Sequence, residues 1–314
     1  MLSRRLFTLS LLAASTPLWA KPQRMRIVVP YPAGGPLDAA ARITAESIKS
    51  RYGRVIVENR AGAAGARAML EVKNAASDGM TLAVGALATL VVNPLLFNDL
   101  PYSPKDFSAV CLLSDVPNVL VMSPKTMQRL GVHDAKDVIQ YIRRNPGKLN
   151  CASGGTGSAG HILNALFAAQ GLNTIHVPYA GAMAAQLSVF SGETDLMFDN
   201  YASARAAIAD GRLRVLAQTR NEADSDIKAP TLTSIGIDCD ISTWFGLIAP
   251  KNTPLEVRQT LFADIQSALS VTATAEKFAQ ISGGGAKLLG PEAFEKWIAA
   301  EQVKYASILK TLSK

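Results

Sequence analysis

Short apolar strands that each run into a loop and then a helix recur along this chain. The first strand, Met25–Pro30, is followed by a glycine-rich turn at Tyr31–Pro36 and a helical pattern from Leu37 to about Arg51. Strand-like segments follow at Val55–Glu58 and Thr81–Val84, with a helical pattern between them. Strand–helix–strand alternation of this kind predicts a parallel sheet with helical crossovers.

The same alternation continues in the second half of the chain. Strands are predicted at 109–113, 119–122, 149–153, 174–177, 196–199 and 214–218. A later strand, Trp244–Ala249, is expected to return to the first sheet, and amphipathic helices at 254–270 and 291–310 close the chain.

This order of elements predicts an α/β fold of two lobes, each a mostly parallel sheet flanked by helices. The first lobe is predicted to comprise residues 21–122 and 240–314, and the second lobe residues 123–239. Two crossovers between the lobes place a cleft between them. Open parallel sheets bind ligands outside the carboxyl ends of their strands, so the loops that follow the strands are the candidate sites.

Composition excludes several classes of protein. The 314 residues are 48% apolar and 18% charged, which rules out global disorder. Three cysteines exclude a disulfide scaffold and lack zinc-site spacing, and three histidines leave little for a metal centre. We therefore expect no metal and no organic cofactor. The net charge of +7 is scattered, which favours anionic ligands and argues against a nucleic-acid surface.

The first twenty residues are typical of an export signal. The segment combines a basic start, an apolar stretch and a small final residue, namely Arg4 and Arg5, Leu6–Ala14, and Ala20. The Arg4-Arg5 pair is also compatible with twin-arginine export, and a retained N-terminal anchor is the alternative to cleavage. We expect residues 1–20 to be a signal peptide and the mature chain to be periplasmic.

The loop after the first strand is one candidate ligand site. Its candidate residues are Tyr31, Ala33, Gly34, Gly35 and Asp38. Paired glycines let backbone N–H groups turn toward one point, and free N–H groups at a helix N-terminus attract an anion. The loop could instead be a tight turn in which the acidic residue offsets the helix dipole, or the carboxylate could receive a ligand ammonium.

The loop after the strand at 149–153 is a second candidate. Its candidate residues are Ser153, Gly155, Thr156, Gly157, Ser158 and His161. The spacing Gly155-x-Gly157-x-x-Gly160 matches the dinucleotide fingerprint. That fingerprint requires an acidic residue about twenty positions later, and the sequence has no Asp or Glu between positions 137 and 193. The hydroxyl groups are better read as donors to a carboxylate, with a capped turn as the structural alternative.

Two further residues follow strands of the second lobe and face the same cleft, Tyr179 and Asp199. Asp199 is expected either to bind a polar group of the ligand or to fix a loop. A serine nucleophile is not supported, because Gly-x-Ser-x-Gly would need glycine where Thr156 stands.

Segments along almost the whole mature chain resemble the substrate-binding receptors of tripartite tricarboxylate transporters, the Bug receptor family. The matching segments are IVVPYPAGGPLDAAAR (27–42), VIVENRAGAAG (55–65), SDGMTLAVG (77–85), NPLLFNDLPYSPKDFSAV (93–110), NPGKLNCASGGTGSAGHI (145–162), HVPYAGAMAA (176–185), GRLRVLAQT (211–219), WFGLIAPKNTP (244–254) and GPEAFEKWIAAE (290–301).

The resemblance implies a periplasmic binding protein of the type II-like, two-lobed kind that closes on a small carboxylate. It also implies that backbone amides at Gly34 and Gly35 hold the carboxylate, and that the protein, expected to be a monomer, delivers it to membrane permease subunits. No enzymatic activity is expected. A periplasmic sensor partner, or an exported hydrolase on the same scaffold, is the alternative function.

Overall fold

The computed structural model describes residues 24–282 and 286–312. The predicted signal peptide at residues 1–20 lies outside this part of the chain. The strands are β1 (Arg26–Val29), β2 (Ile56–Asn59), β3 (Thr81–Ala86), β4 (Phe107–Met122), β5 (Asn150–Ser153), β6 (Ile175–Pro178), β7 (Leu196–Asn200), β8 (Arg214–Gln218) and β9 (Ser242–Pro250).

Helices connect and cover these strands. They are α1 (Pro36–Ser47), α2 (Lys49–Tyr52), α3 (Ala66–Lys73), α4 (Asn93–Leu96), α5 (Pro124–Leu130), α6 (Ala135–Arg144), α7 (Ala159–Ala169), α8 (Ala182–Ser191), α9 (Tyr201–Ala209), α10 (Leu255–Leu269), α11 (Thr272–Ser282) and α12 (Pro291–Leu312). The alternation of strands and helices predicted from the sequence is confirmed.

The strands form one curled sheet in the order β2-β1-β3-β9-β4-β7-β5-β6, and β8 pairs with β4. The first half of the sheet contains β1, β2, β3, β9 and the first part of β4, and the second half contains the end of β4 with β5, β6, β7 and β8. In the first half, β1 is parallel to β2 and β3; in the second half, β5 is parallel to β6 and β7. Strand β4 links the two halves, and it runs antiparallel to each of its neighbours β9, β7 and β8. The return of β9 to the first half, predicted from the sequence, is confirmed by its pairing with β3.

The prediction of two separate strands at 109–113 and 119–122 was wrong, because β4 is continuous over 16 residues. Residues 107–117 pair with β9, and residues 118–122 pair with β7 and β8, so the chain passes from one half to the other inside this strand. Polar residues lie in the middle of this strand. The Asp115 side chain is fully buried and paired with Arg220 and Lys287, while Asn118 accepts a hydrogen bond from Thr243.

Several helical segments were not predicted from the sequence. They include residues 88–92 and the helices α4, α5 and α11. The Ser123 hydroxyl caps α5 by accepting from the Thr126 N–H. Residues 88–92 and α4 are too short to be stable helices by themselves, so packing rather than local sequence selects the helix there.

One hydrophobic core runs through both halves of the molecule. It contains Val28 and Leu90 from the first half together with Leu163 and Phe198 from the second, and all four are almost fully buried. Trp244 of β9 packs edge-to-face on Phe294 of α12, with ring centroids 5.7 Å apart. The two halves are therefore joined by shared apolar packing as well as by β4.

The three cysteines are free thiols buried within this packing. Cys111 and Cys151 have no exposed surface, and Cys239 is only 3% exposed. Burial raises the pKa of each thiol to about 12. These side chains therefore behave as small apolar groups.

Candidate functional site

Loops at the carboxyl ends of the parallel strands converge between the two halves. The first half contributes the loops after β1, β2 and β3, and the second half those after β5, β6 and β7. Open α/β sheets hold ligands at this edge, where helix N-termini also point.

Asp38 organises the loop after β1. Its carboxylate accepts hydrogen bonds from the Gly34 N–H at 2.9 Å, from the Asn59 amide at 2.9 Å and from the Arg42 guanidinium at 3.0 Å. Burial acts to raise the pKa of Asp38, but the hydrogen bonds from Arg42, Gly34 and Asn59 outweigh it and hold that pKa below its ordinary value. These donors fill the carboxylate's lone-pair sites, so a ligand ammonium does not fit here.

The same contacts decide which amides of this loop remain available. The Gly34 N–H is already used by Asp38 and does not point freely at a ligand, in contrast to the sequence-based expectation. The N–H groups of Gly35, Leu37 and Asp38 have no hydrogen-bond partner among the described residues. A Cβ at Gly34 or Gly35 would meet no atom within 4 Å, so open space lies beside these two glycines.

Two other residues of this loop flank the open space. Tyr31 is half-buried, burial raises the pKa of its phenol, and its carbonyl accepts from the Asn59 amide at 3.1 Å. Ala33 is exposed at the tip of the loop. Asn59 was not a candidate from the sequence, although it joins the loops after β1 and β2.

The loop after β5 is held together by its hydroxyl groups. The buried Ser153 hydroxyl accepts from the Gly155 N–H at 3.2 Å and lies 2.7 Å from Nε2 of His176. The Ser158 hydroxyl caps α7 by accepting from the His161 N–H and donates to the Gly155 carbonyl at 2.7 Å. Both hydroxyls thus shape the loop, whereas Thr156 is exposed and makes no side-chain hydrogen bond to any described residue.

Two histidines stack beneath this loop, His161 and His176, with ring centroids 4.6 Å apart. Burial lowers the pKa of both, and the neighbouring imidazole lowers that of His176 further. The Gly157 N–H donates to Nδ1 of His161 at 3.2 Å, so a neutral His161 carries its proton on Nε2. A neutral imidazole can donate one hydrogen bond without adding charge to the cleft.

Tyr179 and Asp199 occupy the neighbouring strand ends. The Tyr179 hydroxyl is buried without a partner in the described part of the chain. Asp199 accepts from the Gln186 amide at 2.6 Å and from the Asn200 N–H at 2.8 Å. Burial raises the pKa of Asp199 to about 7, against hydrogen bonds from Gln186 and Asn200 that lower it. Of the two readings of Asp199, the contacts favour the fixing of a loop.

A groove of about 650 Å³ beside α5 and β8 is separate from the candidate ligand site. None of the candidate ligand-binding residues described above lines it. Across residues 24–282 and 286–312, no helix has the length and apolar character needed to span a membrane. Within those ranges no cluster of three or more His, Cys, Asp and Glu side chains forms a possible metal site.

Two sheet halves that share β4, with helix N-termini facing a common space, define a two-lobed solute-binding receptor of the periplasmic type. Solved structures share this fold. A Rhodopseudomonas palustris protein, Rpa4515, solved with adipate, superposes with a TM-score of 0.85 and is 27% identical, covering 92% of this chain and 97% of its own. MatC from the same organism, solved with bound malate, has a TM-score of 0.80 and 27% identity, covering 91% of this chain and 98% of its own.

The chain belongs to the tripartite tricarboxylate transporter receptor family, whose model, "Tripartite tricarboxylate transporter family receptor", matches residues 40–312. It is also 34% identical over 283 residues to a UPF0065 protein of Pseudomonas sp. (strain P51) from the tcbD-tcbE intergenic region, covering 86% of this chain and 83% of the relative. The resemblance, the fold class and the expectation of a binding protein are confirmed. Members of this family are receptors and not enzymes, which removes the hydrolase alternative.

Proposed function

We propose that this receptor captures a small carboxylate between its two lobes and delivers it to the membrane subunits of a tripartite transporter. One observation carries the proposal. The N–H groups of Gly35, Leu37 and Asp38 at the start of α1 lack partners among the described residues, and open space lies beside Gly34 and Gly35 in the same loop. Unpaired amides at a helix N-terminus are donors for an anion.

The proposed site takes its residues from both lobes. The first-lobe residues are Tyr31, Ala33, Gly34, Gly35 and Asp38, and the second-lobe residues are Ser153, Gly155, Thr156, Gly157, Ser158, His161, Tyr179 and Asp199. The free amides and the Thr156 hydroxyl contact the ligand, whereas Asp38, Ser153, Ser158 and Asp199 shape the loops. Adipate and malate, the ligands of the two solved relatives, support a dicarboxylate.

Capture requires that the lobes close on the ligand. The proposed lobes are residues 21–122 with 240–314 and residues 123–239, so the hinge is proposed at these boundaries, close to the point inside β4 where the sheet pairing changes between residues 117 and 118. A carboxylate that bridges the starts of α1 and α7 favours the closed state over the open one. Closure removes water, which strengthens each charge-assisted N–H···O bond.

Export precedes capture in this proposal. Residues 1–20 act as a signal peptide whose Arg4-Arg5 pair is compatible with twin-arginine export, and the mature receptor works in the periplasm as a monomer. Membership in a family of tripartite transporter receptors supports membrane permease subunits as its partners.

Thermal unfolding in the presence of candidate ligands tests the proposal. Adipate, malate, an aromatic carboxylate and an amino acid are each added to the mature protein. A ligand at about 100 times its Kd stabilises the folded state by about 2.7 kcal/mol, which raises the melting temperature. We expect a carboxylate to do so and the amino acid not to. A melting temperature unmoved by every carboxylate would contradict the proposal.

A variant then locates the site. Gly35 has an extended backbone and open space at its Cβ position, so Gly35→Val folds normally but covers the amides at the start of α1. We expect this variant to lose the ligand-induced shift. Ser50→Val, at an exposed position away from the loops, is the matched control and keeps the shift.

A further inference from the structure

A glycine of the loop after β5 lies against the segment that follows β3 in the other half of the molecule. Gly157, in the loop after β5, is buried and has a φ of +82°. A Cβ at this position would lie 2.8 Å from Oδ1 of Asn93 and 4.0 Å from Cγ1 of Val92. Asn93 and Val92 belong to the first half, so the missing side chain of Gly157 is what lets the halves meet here.

Asn93 is not free to move aside. Its side-chain amide donates to the Ala64 carbonyl at 2.8 Å, and the residue is only 2% exposed. The Asn93 oxygen therefore faces Gly157 from a rigid position.

Asn93 also contacts the loop after β2, which has a strained backbone. Ala63 and Ala64, after β2, have φ values of +48° and +52°, a conformation that residues with a side chain rarely adopt. Such strain persists only where the surroundings impose it, and the bond from Asn93 to the Ala64 carbonyl is one such restraint. One asparagine thus joins the loops after β2 and β5.

Gly157 is fixed as firmly on its own side. Its N–H donates to Nδ1 of His161 at 3.2 Å, and the neighbouring Ser158 hydroxyl donates to the Gly155 carbonyl at 2.7 Å. The loop is therefore tied to the first turn of α7. A side chain at position 157 could be accommodated only by separating the two halves or by breaking these bonds.

We propose that Asn93 and Gly157 form the contact that sets how closely the lobes approach, and that they are positioning residues for ligand capture. This inference rests on the proposed function. Neither residue needs to touch the ligand. Their contact fixes the spacing between the amides at the start of α1 and the loop that begins α7, and a bridging ligand requires that spacing.

Calorimetric titration with adipate and with malate tests the contact in four variants. Gly157→Ala adds the Cβ that would lie too close to Oδ1 of Asn93. Gly192→Ala is the matched control, because Gly192 has the same φ of +82° but no atom within 4 Å of its Cβ position. Asn93→Ala removes the facing oxygen, and the double variant Asn93→Ala/Gly157→Ala combines the two changes.

For a probe that binds the unaltered protein, we expect Gly157→Ala to weaken binding at least 10-fold and Gly192→Ala to change it less than 2-fold. In the Asn93→Ala background, the change of Gly157 to Ala should weaken binding less than 3-fold. An unchanged affinity in Gly157→Ala would overturn the inference. So would an equal loss in both backgrounds, since the effect would then be confined to the loop itself.

A second readout separates this inference from the proposed function. If the unaltered protein binds neither probe, dicarboxylate capture fails, and the contact is judged by small-angle X-ray scattering without ligand. Gly157→Ala should then have a larger radius of gyration than Gly192→Ala, and the double variant should return to the smaller value. Equal radii in all three variants would overturn the inference.

Discussion

Asp38 shows how one buried side chain prepares a binding loop. Its carboxylate accepts hydrogen bonds from the Gly34 N–H and from the side-chain amide of Asn59 at the end of β2, so the loop is ordered before any ligand binds. Ordering a loop in advance lowers the entropic cost of binding. The presence of an acidic residue near an anion site is thereby explained, because Arg42 neutralises the charge of Asp38 and the carboxylate oxygens are occupied by donors from Gly34, Arg42 and Asn59.

Removing this carboxylate should destabilise the protein. Asp38→Ala leaves the Gly34 N–H and the Asn59 amide without their acceptor, and we expect the free energy of unfolding to fall by about 2–3 kcal/mol. Urea denaturation measures the change. Glu46→Ala, also on α1, breaks an exposed ion pair with Lys49 of α2; it is the control and should stay within about 0.5 kcal/mol. Equal effects from the two variants would contradict this role.

Asp199 should make stability depend on pH. Its pKa is raised to about 7 by burial, so the folded protein keeps a proton that the unfolded chain releases near pH 4. Between those values the folded state binds more protons, and this contribution to stability falls as the pH rises, by at most about 1.4 kcal/mol per pH unit. Above pH 7 the loss is complete.

The variant Asp199→Asn removes that titration. We expect its stability relative to the unaltered protein to improve steadily from pH 5 to pH 7 and then level off, as measured by urea denaturation at each pH. His161 and His176 act in the opposite direction, because their lowered pKa values make stability fall on acidification, but they are present in both proteins and cancel in the difference. Parallel pH profiles would refute a protonated Asp199.

Strand β4 carries the connection between the halves, and its packing against β9 leaves no room for a side chain at Gly246. A Cβ there would clash with the Cys111 carbonyl and lie 2.7 Å from the Phe294 ring. We expect Gly246→Ala to lower the free energy of unfolding by about 3 kcal/mol, measured by urea denaturation. Gly154→Ala, whose Cβ would be 3.4 Å from its nearest neighbour, should cost about 1 kcal/mol or less.

Local sequence was enough to predict most strands, both glycine-rich loops and the helices α1 and α7 that follow them. Apolar runs and glycine or proline boundaries act over a few residues. The continuity of β4 could not be predicted in this way, because Asp115 finds its partner Arg220 105 residues away. The contact between Asn93 and Gly157, and that between Asp38 and Asn59, likewise depend on elements brought together only by folding.

The molecule as a whole should unfold in a single transition when no ligand is bound. The halves share β4 and one hydrophobic core, and Arg205 of α9 donates to the Ala279 carbonyl of α11 across their outer surface. We expect differential scanning calorimetry to give one peak with equal calorimetric and van't Hoff enthalpies. Two resolved peaks would mean that the lobes fold independently.

The burial of all three native thiols has a practical consequence. Thiols with pKa values near 12 and almost no exposed surface react very slowly with maleimides, because the thiolate is the reactive species. Two cysteines introduced on the surface, one in each half, would therefore be labelled selectively without first deleting the native ones. Fluorescence energy transfer between the dyes would then follow opening and closing in single molecules of the otherwise unaltered receptor.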